Sequence, residues 1–166
     1  MTESLLPALF AVLAHELGHL VFMFLMKVRF CGAGNSLWGI KITADYTKST
    51  YLKELCVSSG GALSNFLFAY IFFMTNADEY AYAMLAYGIF NLLPAHFLDG
   101  GDIVRVLMLM SPVGVRVSES VCRYLSISVT LFIWVIAVYF AMNTANIALL
   151  ITVFYMMIAC FFDKSA

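Results

Sequence analysis

His15, Glu16 and His19 are the only ionisable side chains in an apolar run from Leu5 to Met26. A charged side chain at the centre of a bilayer costs roughly 2.5–3.5 kcal/mol on insertion scales, so such groups are rare there without a purpose. Their spacing supplies one. Residues i and i+4 share a helix face, so His15 and His19 can aim two imidazole nitrogens at one metal ion. Glu16, one position along, is placed to reach a water beside the metal rather than the metal itself. This is the HExxH arrangement, two zinc ligands and a general base. The bland alternative is a pair of helix histidines satisfied by hydrogen bonds in a bundle interior, but two of the chain's three histidines fall in this motif.

Catalytic zinc takes three protein ligands and an open position for water. The second region able to contribute runs from Asn91 to Gly101, where Asp99 lies deep in a hydrophobic segment beside two glycines that permit close backbone approach. His96 is the rival. Asp99 is preferred because a second carboxylate, Asp102, stands three residues before Arg105 and is free to pair with it, which leaves His96 to line the cavity. Asn91 has an amide able to bond a substrate backbone, although an asparagine at membrane depth is also ordinary helix–helix glue. Ser58-Ser59-Gly60-Gly61-Ala62-Leu63-Ser64-Asn65 reads as a small-residue packing face, with Asn65 a further candidate to reach the site.

The elements that must position these groups follow from composition. Of 166 residues 63% are hydrophobic and 11% charged, with a mean hydropathy of +0.93. A soluble domain carries about 25% charged residues, so the expected solvent is the lipid bilayer. The net charge of −1 argues against a nucleic-acid partner. Cys31, Cys56, Cys122 and Cys160 form no CxxC pair and read as free thiols. Crossing about 30 Å of hydrocarbon takes roughly 20 apolar residues as a helix. Five spans qualify, at about 5–26, 56–75, 79–110, 122–142 and 145–162. The third is interrupted by Pro94 and by Asp99-Gly100-Gly101 and reads as a broken helix. The fold class expected is an all-α membrane protein in one domain, with a short interfacial β-hairpin or strand.

That strand is read from Trp38, Ile40, Ile42, Ala44 and Tyr46, which alternate with Gly39, Lys41, Thr43 and Asp45. The preceding Phe30–Asn35 stretch, with Gly32 and Gly34, reads as turn-rich. The strand either packs on the helices or offers an edge to an extended substrate segment. All nine Lys and Arg residues fall on one side of the five-span arrangement, which the positive-inside rule makes cytoplasmic, with the N-terminus outside.

Three blocks occur in order: His15-Glu16-Leu17-Gly18-His19, Gly60-Gly61-Ala62-Leu63-Ser64-Asn65, and Asn91-Leu92-Leu93-Pro94 through Leu98-Asp99-Gly100-Gly101. Over roughly residues 5–110 the chain resembles the site-2 protease family of intramembrane zinc metalloproteases, most of all its small bacterial sporulation branch, which processes a pro-sigma factor. The resemblance implies one zinc ion bound by His15, His19 and Asp99, with Glu16 as catalytic base. It implies that Asn91, Pro94 and Asn65 line the active-site region and that the strand bearing Ile40 and Ile42 guides substrate. It also implies a bacterial multi-pass cell-membrane protease that cuts a membrane-associated protein substrate; a regulatory membrane partner is compatible with this, though the sequence names none. Ala62 departs from the proline usual in the family, and Asp102 from a Lys or Arg; neither is a proposed ligand. The length leaves no room for a PDZ or CBS domain. Two other classes compete: a non-catalytic zinc-binding scaffold, against which the retained Glu16 counts, and a metal transporter, which would need a relay of polar groups through the other spans.

Overall fold

Backbone amides in hydrocarbon must be paired within their own segment, and apolar runs of this length therefore fold as helices. The computed structural model describes residues 5–36, 39–46, 49–144, 151 and 154, with 33–44 and 144 described by their backbone. The elements are α1 (Leu5–Met26), β1 (Arg29–Ser36), β2 (Gly39–Asp45), α2 (Tyr51–Met74), α3 (Asp78–Asn91), α4 (Asp99–Met110) and α5 (Val115–Thr144). This is the all-α membrane architecture expected. Among the described residues three helices, Leu5–Met26, Tyr51–Met74 and Val115–Asn143, are long and apolar enough to cross a membrane. Their outward faces bear side chains such as Phe24, 83% exposed, and Met142, 82% exposed, which suit lipid and not water. The expected last span at about 145–162 lies outside the described residues apart from Ile151 and Phe154.

The chain divides into two compact units, Met1–Leu93 and Pro94–Ala166. In the first, α1 packs on both α2 and α3, which also pack on each other. Small residues set the closeness of α1 and α2: a Cβ on Gly18 would fall 2.5 Å from the Gly60 carbonyl oxygen, and one on Gly60 would fall 2.8 Å from the Phe22 ring. Ala11, Ala14, Ala69 and Met84 form the core of this unit, flanked by Phe68, Phe72 and Tyr87. Burying such side chains yields little between helices that could face lipid instead, so close packing carries the association.

β1 and β2 pair antiparallel from Arg29↔Asp45 to Ser36↔Gly39. Phe30–Asn35, expected as turn, is therefore strand. The register shifts between Phe30 and Gly32, where Gly32 takes φ 144°. Glycine at such a bulge bends the strand and leaves it paired, so here glycine marks a bulge and not a turn. Ile40 and Ile42 lie on β2, opposite Asn35 and Ala33. Trp38 lies outside the described residues.

The break expected in the third apolar run is borne out. Helix α3 ends at Asn91 and α4 begins at Asp99, and Pro94 in the segment between them disfavours helical backbone in the residue before it. In the second unit α4 packs against α5. Helix α5 starts at Val115, earlier than the apolar pattern indicates, directly after Gly114 at φ 83°. Cys31, Cys56 and Cys122 are free thiols.

Candidate active site

Helix α1 presents His15 and His19 on one face, as their spacing requires. His15 is 2% exposed and His19 half-buried. Their Nε2 atoms lie 3.2 Å apart. Two neutral imidazoles cannot favourably face lone pair to lone pair; a proton or a metal cation between them makes the arrangement attractive. Two nitrogens held at 2.0–2.1 Å by one tetrahedral zinc would stand about 3.3 Å apart, so the observed separation fits that ion.

The other ring nitrogens decide which edge is free to ligate. His19 Nδ1 lies 2.8 Å from the Val57 carbonyl oxygen, and a carbonyl only accepts, so Nδ1 carries the proton and Nε2 the lone pair. His15 Nδ1 lies 3.4 Å from Asn65 Nδ2. Asn65 is fully buried, and its Oδ1 has no hydrogen-bond partner among the described residues. The two ends of the amide are nearly isosteric. Turned by half a rotation, Asn65 gives its Oδ1 to a His15 Nδ1–H, which satisfies the orphaned oxygen and leaves His15 Nε2 unprotonated. Both histidines then offer Nε2, the pair of atoms that face each other.

Helix α2 makes space for this. A Cβ on Gly61 would fall 2.5 Å from His19 Nε2 and 2.6 Å from His15 Nε2. Next in the helix, Ser64 Oγ donates to the Ala14 carbonyl at 2.5 Å and ties α2 to α1 one residue before His15. On the third side, the Tyr87 ring of α3 stands edge-on to His15, with centroids 5.1 Å apart. Glu16 is half-buried on α1 beside these groups. Asn91 is buried at the end of α3, and its Nδ2 donates to the Tyr87 carbonyl at 3.0 Å, within its own helix.

The second unit holds the other candidates. Asp99 is half-buried and opens α4, with Leu98 before it in an extended conformation. Negative charge in the first turn of a helix is favoured by about 0.3–1 kcal/mol. A turn precedes it: the Leu98 N–H donates to the Ala95 carbonyl at 2.9 Å. A Cβ on Gly101 would overlap the Ala95 carbonyl and lie 2.9 Å from the His96 Cα, so glycine at 101 lets this turn close on α4. Pro94 and His96 are half-buried, and the His96 N–H donates to Ser126 Oγ of α5 at 2.9 Å. Asp102 pairs with Arg105 as expected, Oδ1 to Nε at 3.7 Å, both side chains more than 40% exposed.

Sequence patterns indicated both histidines and raised Asn65 as a candidate. They did not assign Gly61 to the histidines, because it lies in a run that equally reads as packing. Tyr87 had a usable signal, one helical turn before Asn91. The Val57 carbonyl had none, since every residue carries one.

No protein-family model matches the sequence, and no curated protein matches it at a significant level. Among solved structures, the site-2 protease from Methanocaldococcus jannaschii is similar, with a TM-score of 0.68 and 22% identity over 93% of this chain and 74% of that one. The chain thus has the fold of a site-2 protease.

Proposed function

We propose that this protein is an intramembrane zinc endopeptidase that hydrolyses a peptide bond in or near the membrane-spanning part of a protein substrate. The observation that carries the reading is the pair of Nε2 atoms 3.2 Å apart on an apolar helix of spanning length, with His19 Nδ1 committed to a backbone carbonyl. A shared proton or a metal ion satisfies that arrangement, and the adjoining Glu16 favours the metal, since a hydrogen-bonded histidine pair needs no base beside it. The likeness in fold to a site-2 protease supports it.

His15, His19 and Asp99 are a group suited to hold the zinc ion, two imidazoles and a carboxylate. Asp99 is preferred to His96 as the third ligand because Asp102 already serves Arg105. The bound ion supplies Lewis-acid chemistry, polarising the scissile carbonyl and acidifying a water. Glu16 takes the proton of the attacking water and passes it to the leaving amine. Asn65 and the Val57 carbonyl hold the histidine rings in the ligating tautomer. A helical substrate hides its carbonyls in its own hydrogen bonds and must be extended to be cut; the β1–β2 hairpin, with Ile40 and Ile42, offers an edge for that. Asn91 and Pro94 complete the lining of the substrate path. The N-terminus lies outside the cell membrane and the basic loops in the cytoplasm.

The test uses a pool of single-span peptides in proteoliposomes, with products read by mass spectrometry. Glu16→Gln keeps zinc and lowers the cleavage rate by about 10²–10⁴-fold. Cleavage by the variant at the wild-type rate overturns the mechanism; zinc binding with no cleavage by either protein marks a scaffold.

A further inference from the structure

The apolar run at about 122–142, which forms most of helix α5, has no ionisable side chain in its interior and reads as structural from sequence. Within it, Ser118, Ser126 and Thr130 are buried, and each hydroxyl donates to the carbonyl four residues earlier, at 3.0, 2.8 and 2.8 Å. A serine or threonine in an apolar helix satisfies itself in this way. Ser126 differs from the other two: its oxygen also accepts the His96 N–H at 2.9 Å, while its proton goes to the Cys122 carbonyl. Donor and acceptor are thus both used, in geometry that leaves no ambiguity over which atom gives and which receives.

The His96 amide is not an arbitrary partner. His96 follows Ala95 in the turn that the Leu98 N–H closes onto the Ala95 carbonyl, and Asp99 comes next. Among the described residues the His96 N–H has no backbone carbonyl as partner, and Ser126 Oγ is the acceptor that takes it. Gly101 packs against the same two residues, Ala95 and His96, from the α4 side. The turn is therefore gripped by α4 through van der Waals contact and by α5 through one hydrogen bond. In a low-dielectric setting the loss of that acceptor leaves a donor without a partner, and the turn must then move to find one.

We infer that Ser126 is a positioning residue: through the His96 N–H it fixes the turn that directs the Asp99 carboxylate, and so tunes metal affinity from a helix that carries no ligand. This rests on Asp99 being the third zinc ligand. Groups that orient ligands typically alter metal affinity 10–100-fold, and one acting through a backbone turn belongs at the lower end.

The experiment measures zinc affinity by chelator competition on the full chain in detergent, for wild type, Ser126→Ala and Thr130→Ala, together with amide exchange at His96. Thr130→Ala removes the same kind of buried internal bond but touches no turn. Ser126→Ala is expected to weaken zinc binding about tenfold and to speed His96 exchange, Ser126→Thr to restore both, and Thr130→Ala to leave both unchanged. Unchanged affinity in Ser126→Ala overturns the inference, as does an equal loss in Thr130→Ala, which would mark general packing of α5. A wild type that binds no zinc overturns the metal reading itself and the inference with it. Should Ser126→Ala fail to fold, Ser126→Cys keeps the volume and supplies only a weak acceptor, and the same comparison decides.

Discussion

Two glycine pairs stand beside the proposed zinc ligands, Gly60-Gly61 in the middle of α2 and Gly100-Gly101 in the first turn of α4. Neither Gly61 nor Gly101 adopts a positive φ, so their use lies in the missing side chain and not in backbone freedom. The objects admitted differ. Gly61 makes room for the ring edges of His15 and His19, which are side chains that can shift without moving backbone. Gly101 makes room for the Ala95 carbonyl and the His96 Cα, which belong to a turn closed by its own hydrogen bond. Gly61 shapes the space at the two histidines, and Gly101 shapes the turn that precedes Asp99, the proposed third ligand. Substituting each should therefore separate metal binding from folding.

Gly101→Ala has the larger expected effect. The new methyl meets backbone that cannot step aside without opening the turn, and overpacking of this kind typically costs 1–3 kcal/mol. Thermal unfolding in detergent should show a clear loss of stability, and zinc should be lost as well. Stability equal to wild type would mean the turn has slack that the contact distances do not suggest. Gly61→Ala should act the other way round. His15 and His19 are pushed apart, so zinc affinity falls by 10–100-fold, while the helix gains from alanine's higher propensity, about 1 kcal/mol over glycine in a helix interior. A Gly61→Ala protein that unfolds easily yet holds zinc normally would reverse the comparison.

Asn65→Ala sharpens it with a smaller effect. It removes the partner of His15 Nδ1 without moving backbone, so zinc affinity should drop about tenfold, as for other groups that orient a ligating histidine. Unfolding should change less than in Gly101→Ala. Chelator competition on the two variants checks both statements together.

The same contrast explains what the sequence could and could not convey. His15 and His19 were legible because their spacing matches the helical repeat and their types are foreign to lipid. The break after Asn91 was legible because Pro94 and the Asp-Gly-Gly run interrupt an apolar stretch. Phe30–Asn35 misled, because glycine marks both turns and bulges, and the choice depends on pairing with a distant strand. The roles of Ser64, Val57 and Ser126 were silent. Each acts through a backbone group or an ordinary hydroxyl, and what selects it is the three-dimensional neighbour, not residue type. Asn65 lay between these cases: an asparagine in a small-residue stripe is glue or ligand support, and only its place against His15 decides.

The proposed zinc site is made of His15, His19 and Asp99. Its most direct measurement is zinc per chain in detergent for wild type and Asp99→Ala, which needs no substrate. About one tightly held ion is expected in the wild type, as a three-ligand catalytic site requires, with near-complete loss in the variant. A wild type without zinc, or a variant that keeps it in full, would mean that these three residues do not form the site.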